Sequence, residues 1–176
     1  MEILIFGVIL VALMVFVSTK IKKSAASAFE REIIDAEDFT LVKPVGFISP
    51  INENSKFVFE AYTKEFGKND ADELRQMWTN LIVSPVSDFE TVIESIEKND
   101  GKILSKKILE DTISGQKICL IESKKVEKNV VVRVFRKIIE SSKNRKIYHL
   151  QISILDAYRE EYTDRLNEML ESFAVK

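Results

Sequence analysis

Very little of the usual catalytic equipment is present. The chain has one histidine, His149, and one cysteine, Cys119. A lone cysteine excludes an intrachain disulfide and any cysteine-based zinc site. A lone histidine excludes His-His metal pairs. Three prolines and five glycines leave no long flexible linker or low-complexity segment. There is no glycine-rich dinucleotide loop, no Walker loop, no nucleophile elbow and no H-E-x-x-H. Excess charge of either sign is also missing. Lys plus Arg total 26 against 28 acids, a net charge of −2. Phosphate backbones are held by dense positive charge, so nucleic acid is not an expected partner.

One long hydrophobic run stands out. Ile3 to Ser18 carries no charge, and twelve of its residues are Ile, Leu, Val or Phe. These are Ile3, Leu4, Ile5, Phe6, Val8, Ile9, Leu10, Val11, Leu13, Val15, Phe16 and Val17. Together they favour bilayer insertion by about 4–7 kcal/mol. Sixteen helical residues span about 24 Å, close to a hydrocarbon core of ~30 Å, and Lys20 can snorkel to the headgroups. A cleaved signal peptide normally has basic residues before its apolar run. Here Met1-Glu2 precede it, and Lys20, Lys22 and Lys23 follow. A buried core helix needs more surrounding protein than this chain supplies. The reading is therefore an uncleaved single-pass anchor over residues 1–19 in the cell membrane. The three lysines set its topology and retain the following domain on the cytoplasmic side. Residues 20–36 lack Gly and Pro and are expected to form a helical stalk.

Residues 37–176 are expected to form one soluble α+β domain. Phe39 to Pro44 alternates as a strand and stops at the proline. Phe57 to Tyr62 and Met77 to Val83 read as further strands. In the latter, Met77, Thr79, Leu81 and Val83 form the face turned to the core. Ser87-Asp88-Phe89-Glu90 has the capping-box pattern, with Ser87 as the N-cap of a helix that buries Phe89, Val92, Ile93 and Ile96. Gly101 is expected to end that helix with a positive φ. Lys102 to Leu109, Lys117 to Ser123, Val130 to Ile139 and Lys146 to Leu155 read as successive strands, the last three an antiparallel meander. An amphipathic helix over about Tyr158 to Phe173 closes the chain. Its stripe is Tyr158, Tyr162, Leu166, Met169, Leu170 and Phe173. The outcome is an antiparallel sheet packed with two main amphipathic helices.

Three places carry a family likeness. Phe39-Thr40-Leu41-Val42-Lys43-Pro44-Val45-Gly46-Phe47 resembles the opening strand and Pro-x-Gly-aromatic turn of the PsbP-like superfamily. The helix from Ser87 to Asn99 with the long meander after it is similar to that family's middle. Glu171-Ser172-Phe173 looks like its Ser-Phe ending. The resemblance implies an α/β/α sandwich. It implies no shared catalytic set, because that superfamily mixes photosystem subunits, transport factors and uncharacterised proteins.

The remaining candidates have plain readings. His149 lies on the polar face of a strand and reads as a surface histidine. Cys119 reads as a core residue of its strand. Asp70, Asp72 and Glu73 read as a solvated acidic loop, lacking the pattern of a calcium loop. Lys124, Lys125 and Lys128 cluster in one hairpin loop and Lys143, Arg145 and Lys146 in the next. They suit solvated turns, or contact with anionic headgroups. No cofactor is expected. The leading function is a membrane-anchored, non-enzymatic binding or assembly domain whose partners are the lipid bilayer and another membrane or envelope protein. The alternatives are a small-ligand carrier or sensor with a cavity between sheet and helix, and a hydrolase or transferase built on scattered carboxylates.

Overall fold

The computed structural model describes residues 13–19, 27–50, 55–86, 88–111 and 115–176. Most of the proposed anchor (residues 1–12), the lysines Lys20, Lys22 and Lys23, and Ser87 lie outside the described residues. Residues 13–19 are helical and expose Leu13, Met14, Val15, Phe16 and Val17. No helix among the described residues is long and apolar enough to cross a membrane.

Ten strands and two α-helices follow among the described residues. The strands are β1 (Glu32–Asp35), β2 (Phe39–Lys43), β3 (Phe47–Ile48), β4 (Phe59–Thr63), β5 (Met77–Pro85), β6 (Lys102–Asp111), β7 (Gln116–Glu127), β8 (Val130–Ser141), β9 (Lys146–Leu155) and β10 (Ala174–Val175). The helices are α1 (Phe89–Asn99) and α2 (Thr163–Ser172). Seven strands form one antiparallel sheet in the order β3-β4-β5-β9-β8-β7-β6, and β1-β2-β10 form a second.

Period-two alternation divides the large sheet into two faces. On one side Tyr148, Leu150, Ile152 and Ile154 of β9 join Phe135, Met77, Leu81 and Phe59. This face is covered by α2, through Leu166, Met169 and Phe173, and by Phe39 and Leu41 of β2. On the other side Phe89 and Ile93 of α1 pack on Cys119, Ile121, Ile138 and Ile147. The sheet thus lies between the two helices, an α+β arrangement with antiparallel sheets. In β5, Met77, Thr79 and Leu81 are buried as the alternation requires.

Several local expectations differ from what forms. Residues 32–35 of the supposed helical stalk are a strand, held by antiparallel pairing with β2. Glu32 stands opposite Lys43 and their side chains pair at 2.8 Å, so cross-strand contacts outweigh local helix propensity. The α1 N-cap is Asp88, one residue later than expected: its carboxylate accepts from the Glu90 N–H and the Thr91 hydroxyl. The segment from Asp156 opens with a 3₁₀ turn, and the α-helix begins only at Thr163. Gly46 does take φ +90°, as the Pro44-Val45-Gly46-Phe47 turn demands. Gly101 does not take a positive φ. Its place is fixed by approach: a Cβ there would lie 2.5 Å from the Lys124 carbonyl oxygen.

Candidate functional site

Strand β8 reads VVVRVFRKIIES, an apolar run interrupted by Arg133, Arg136 and Lys137. Arg136 points to the α1 side of the sheet, beside Ile138 and Val134. Its side chain is 7% exposed, and so is that of Asp100, the C-cap residue of α1. The two form an ion pair. Ser123 donates its hydroxyl to Asp100 at 2.7 Å, and Arg136 donates to Gln151 Oε1 at 2.9 Å. Burial pulls the Arg136 guanidinium below its ordinary value, while Asp100 opposes that shift. Removing two charges from water is costly, and the mutual bond and the side hydrogen bonds offset it. The network ties the end of α1 to β7, β8 and β9.

His149 lies next to this network. It shares its face with Gln151 and Ser153, as alternation predicts, but that face is not wet there. Ser153 is fully buried and the His149 Nε2 is inaccessible. Burial, and then the nearby Arg136 charge, push the His149 pKa down to about 4. The ring is therefore neutral at pH 7 and half-buried, less open than the surface histidine expected. Cys119 is a core residue, as expected, and burial pushes its thiol above the ordinary value. A raised thiol is a poor nucleophile.

The charged loops are largely self-compensated. Glu73 pairs with Lys128 at 2.6 Å, and Lys125 with Glu127 at 2.9 Å. Lys124 and Arg133 converge on Asp156 at 3.1 and 2.6 Å. Lys146 pairs with Asp38 at 2.7 Å, holding that carboxyl below its usual range. The β7–β8 and β8–β9 turns lie at opposite ends of the sheet, so the two basic clusters do not merge into one patch. Lys137 donates to the Leu170 and Phe173 carbonyl oxygens at 2.7 and 2.8 Å, closing the C-terminus of α2. No group of three or more metal-ligating side chains occurs among the described residues.

Two surfaces remain. An open groove of about 700 Å³ runs between the 3₁₀ turn Asn69–Ala71 and the segment Leu155–Tyr158, with Val130 and Val131 as its apolar wall. It lies at one end of the sheet rather than between sheet and helix. The second is strand β6, which among the described residues pairs only with β7 and exposes Leu104, Ile108 and Leu109 at 39%, 50% and 41%. Neither the Arg136–Asp100 pair nor the β6 surface was anticipated. The signal for the former was an arginine at an inward position of an apolar strand. The signal for the latter was a strand in which every residue type except the aliphatics is polar.

Comparison with solved structures agrees with the architecture. Cyanobacterial PsbP (CyanoP) from Synechocystis sp. PCC 6803 superposes with a TM-score of 0.58 at 11% identity, covering 84% of this chain and 94% of that one. LpqN of Mycobacterium tuberculosis, involved in cell envelope biogenesis, gives 0.53 at 14% identity, covering 84% and 91%. The E65A mutant of Mog1 gives 0.50 at 14% identity, covering 83% and 96%. The chain has the PsbP-like fold. No family model matches its sequence, and no curated protein matches it.

Proposed function

We propose that this chain is a membrane-anchored, non-enzymatic domain for protein binding or assembly. The observation that carries the reading is an inversion of the usual economy of side chains. Groups with chemical potential are withdrawn from solvent: Arg136 in a buried pair with Asp100, the His149 Nε2 buried beside them without a hydrogen-bond partner, Cys119 in the core. Apolar side chains are instead displayed along the outer strand β6. Large aliphatics left exposed on both faces of a sheet-edge strand suit a partner more than they suit solvent.

The anchor rests on the charge-free run Ile3 to Ser18, and the cytoplasmic orientation on Lys20, Lys22 and Lys23. The PsbP-like fold adds to the reading, since LpqN acts in envelope biogenesis; that role belongs to LpqN, and what this chain draws from it is a fold used for such work.

The test begins with fractionation of cells producing the full chain. The protein should sediment with membranes and leave them only in detergent, and protease added to intact cells should spare the domain. Affinity capture in mild detergent should then recover it in a defined stoichiometric assembly. Full-length chain in the high-speed supernatant refutes the anchor. Repeated recovery as a lone monomer refutes the assembly role.

A further inference from the structure

Among the described residues, strand β6 has a neighbour on one side only. Its outer edge presents backbone N–H and C=O groups that template another strand. Natural sheet edges are commonly blunted by bulges and lysines. Here the bulge sits at the first end, between Ile103 and Ser105, while the lysines are Lys102, Lys106 and Lys107. From Ser105 to Asp111 the register with β7 is unbroken, which leaves a straight, regular stretch. Charge along that stretch is polarised. Lys106 and Lys107 come before Ile108 and Leu109, and Glu110 and Asp111 come after.

A strand with cations at one end and anions at the other is complementary to itself when reversed. Antiparallel pairing about a two-fold axis normal to the sheet keeps each face continuous, so residues of the same parity stand opposite. An axis through Ile108 sets Lys106 against Glu110, Ser105 against Asp111, Lys107 against Leu109, and Ile108 against its own copy. An axis one residue earlier sets Lys107 against Lys107, and in-register parallel addition stacks every lysine on its own copy. Like charges directly opposite each other destabilise a sheet pair. Glu97 of α1 pairs with Lys106 at 2.7 Å, which holds that lysine on the α1 face of the sheet.

We propose that β6 is a homotypic interface: two copies join edge to edge, antiparallel about Ile108, into one sheet running through both. This deepens the assembly reading by naming a second copy as the partner, and it rests on that reading. A different protein recovered with a monomeric chain would overturn the homotypic interface and leave the broader assembly role standing.

The experiment uses the full chain in mild detergent. Light scattering should give a protein mass of two copies. Ile108→Cys should cross-link to dimer under a mild oxidant, because directly opposite Cα atoms lie about 4.5–5.5 Å apart, within disulfide reach. Cys119 stands directly opposite Ile108 on β7, within the same reach, so the cysteine variants are made in a Cys119→Ala background. Val126→Cys, at a site 70% exposed on β7, should stay uncross-linked. Charge swaps supply the register. Glu110→Lys places two like-charged pairs in the dimer and should weaken it about tenfold. Lys106→Glu should do the same, and an equimolar mixture of the two should restore dimer. Restoration also shows that both variants fold. A mass of one copy at every concentration refutes the proposal. So does equal cross-linking of the Ile108→Cys and Val126→Cys variants, or a mixture no more dimeric than its components.

Discussion

Acidification from pH 7 to pH 5 isolates His149, and the expected cost follows from its surroundings. The folded ring titrates at about 4 against an ordinary 6.5, because burial and Arg136 oppose a second positive charge. Below pH 6.5 the unfolded chain takes up a proton that the folded chain refuses until about pH 4. Stability therefore falls as pH drops through this window, and the His149 contribution levels off below it. At 1.36 kcal/mol per pH unit of separation, the full penalty is about 3 kcal/mol, of which about 2 kcal/mol accrues between pH 7 and pH 5. Because the chain has a single histidine, its imidazole Cε1–H gives one unambiguous NMR signal to titrate. Denaturant unfolding supplies the energy. The stability difference between the native chain and His149→Gln, which cannot take a proton, should shift by about 2 kcal/mol against the native chain over that range. Acid loss from carboxylates such as Asp38 and Asp156, held low by their lysine and arginine partners, is common to both and cancels. An NMR midpoint near 6.5, or a difference that is flat between pH 7 and pH 5, would refute the account of a desolvated ring beside an arginine.

Three further outcomes follow. Arg136→Ala leaves Asp100 buried and uncompensated and should cost about 3–5 kcal/mol in urea unfolding, whereas Asp100→Ser combined with Arg136→Met should recover much of that loss; equal instability of single and double variants would count against it. Gly101→Ala presses a methyl group onto the Lys124 carbonyl oxygen 2.5 Å away and should destabilise by about 1–3 kcal/mol. The same change at Gly115, where nothing lies within 4 Å but φ is +66°, is opposed only by the backbone and should cost about 1 kcal/mol.

Much of the fold was legible because alternation is local. Tyr148, Leu150, Ile152 and Ile154 announced a buried face by their spacing alone, and all four are buried. Phe89, Val92, Ile93 and Ile96 announced the α1 stripe in the same way, and Phe89 and Ile93 are its buried centre. The Pro44-Val45-Gly46-Phe47 turn entered through the family resemblance, and its physical basis is the φ of +90° that glycine readily takes there. The functional surfaces were less so. His149 was assigned correctly to a face and too fully to solvent, because side-chain spacing says nothing about what covers a sheet. Gly101 was given a conformational role, but a neighbouring strand 23 residues later dictates it.

Sequence alone determined which side chains must turn inward, where the meander reverses and which common chemistries the chain lacks, since each depends on residues a few positions apart. Tertiary structure decided the partners. Residues 32–35 became a strand because β2 lies beside them, and β10 exists because Ala174 and Val175 reach Thr40 and Phe39 across the whole domain. The Asp100–Arg136 pair and the lone edge of β6 likewise arise only when distant segments meet. Such contacts are set by the packing of the entire chain, and no short window of sequence contains both halves of them.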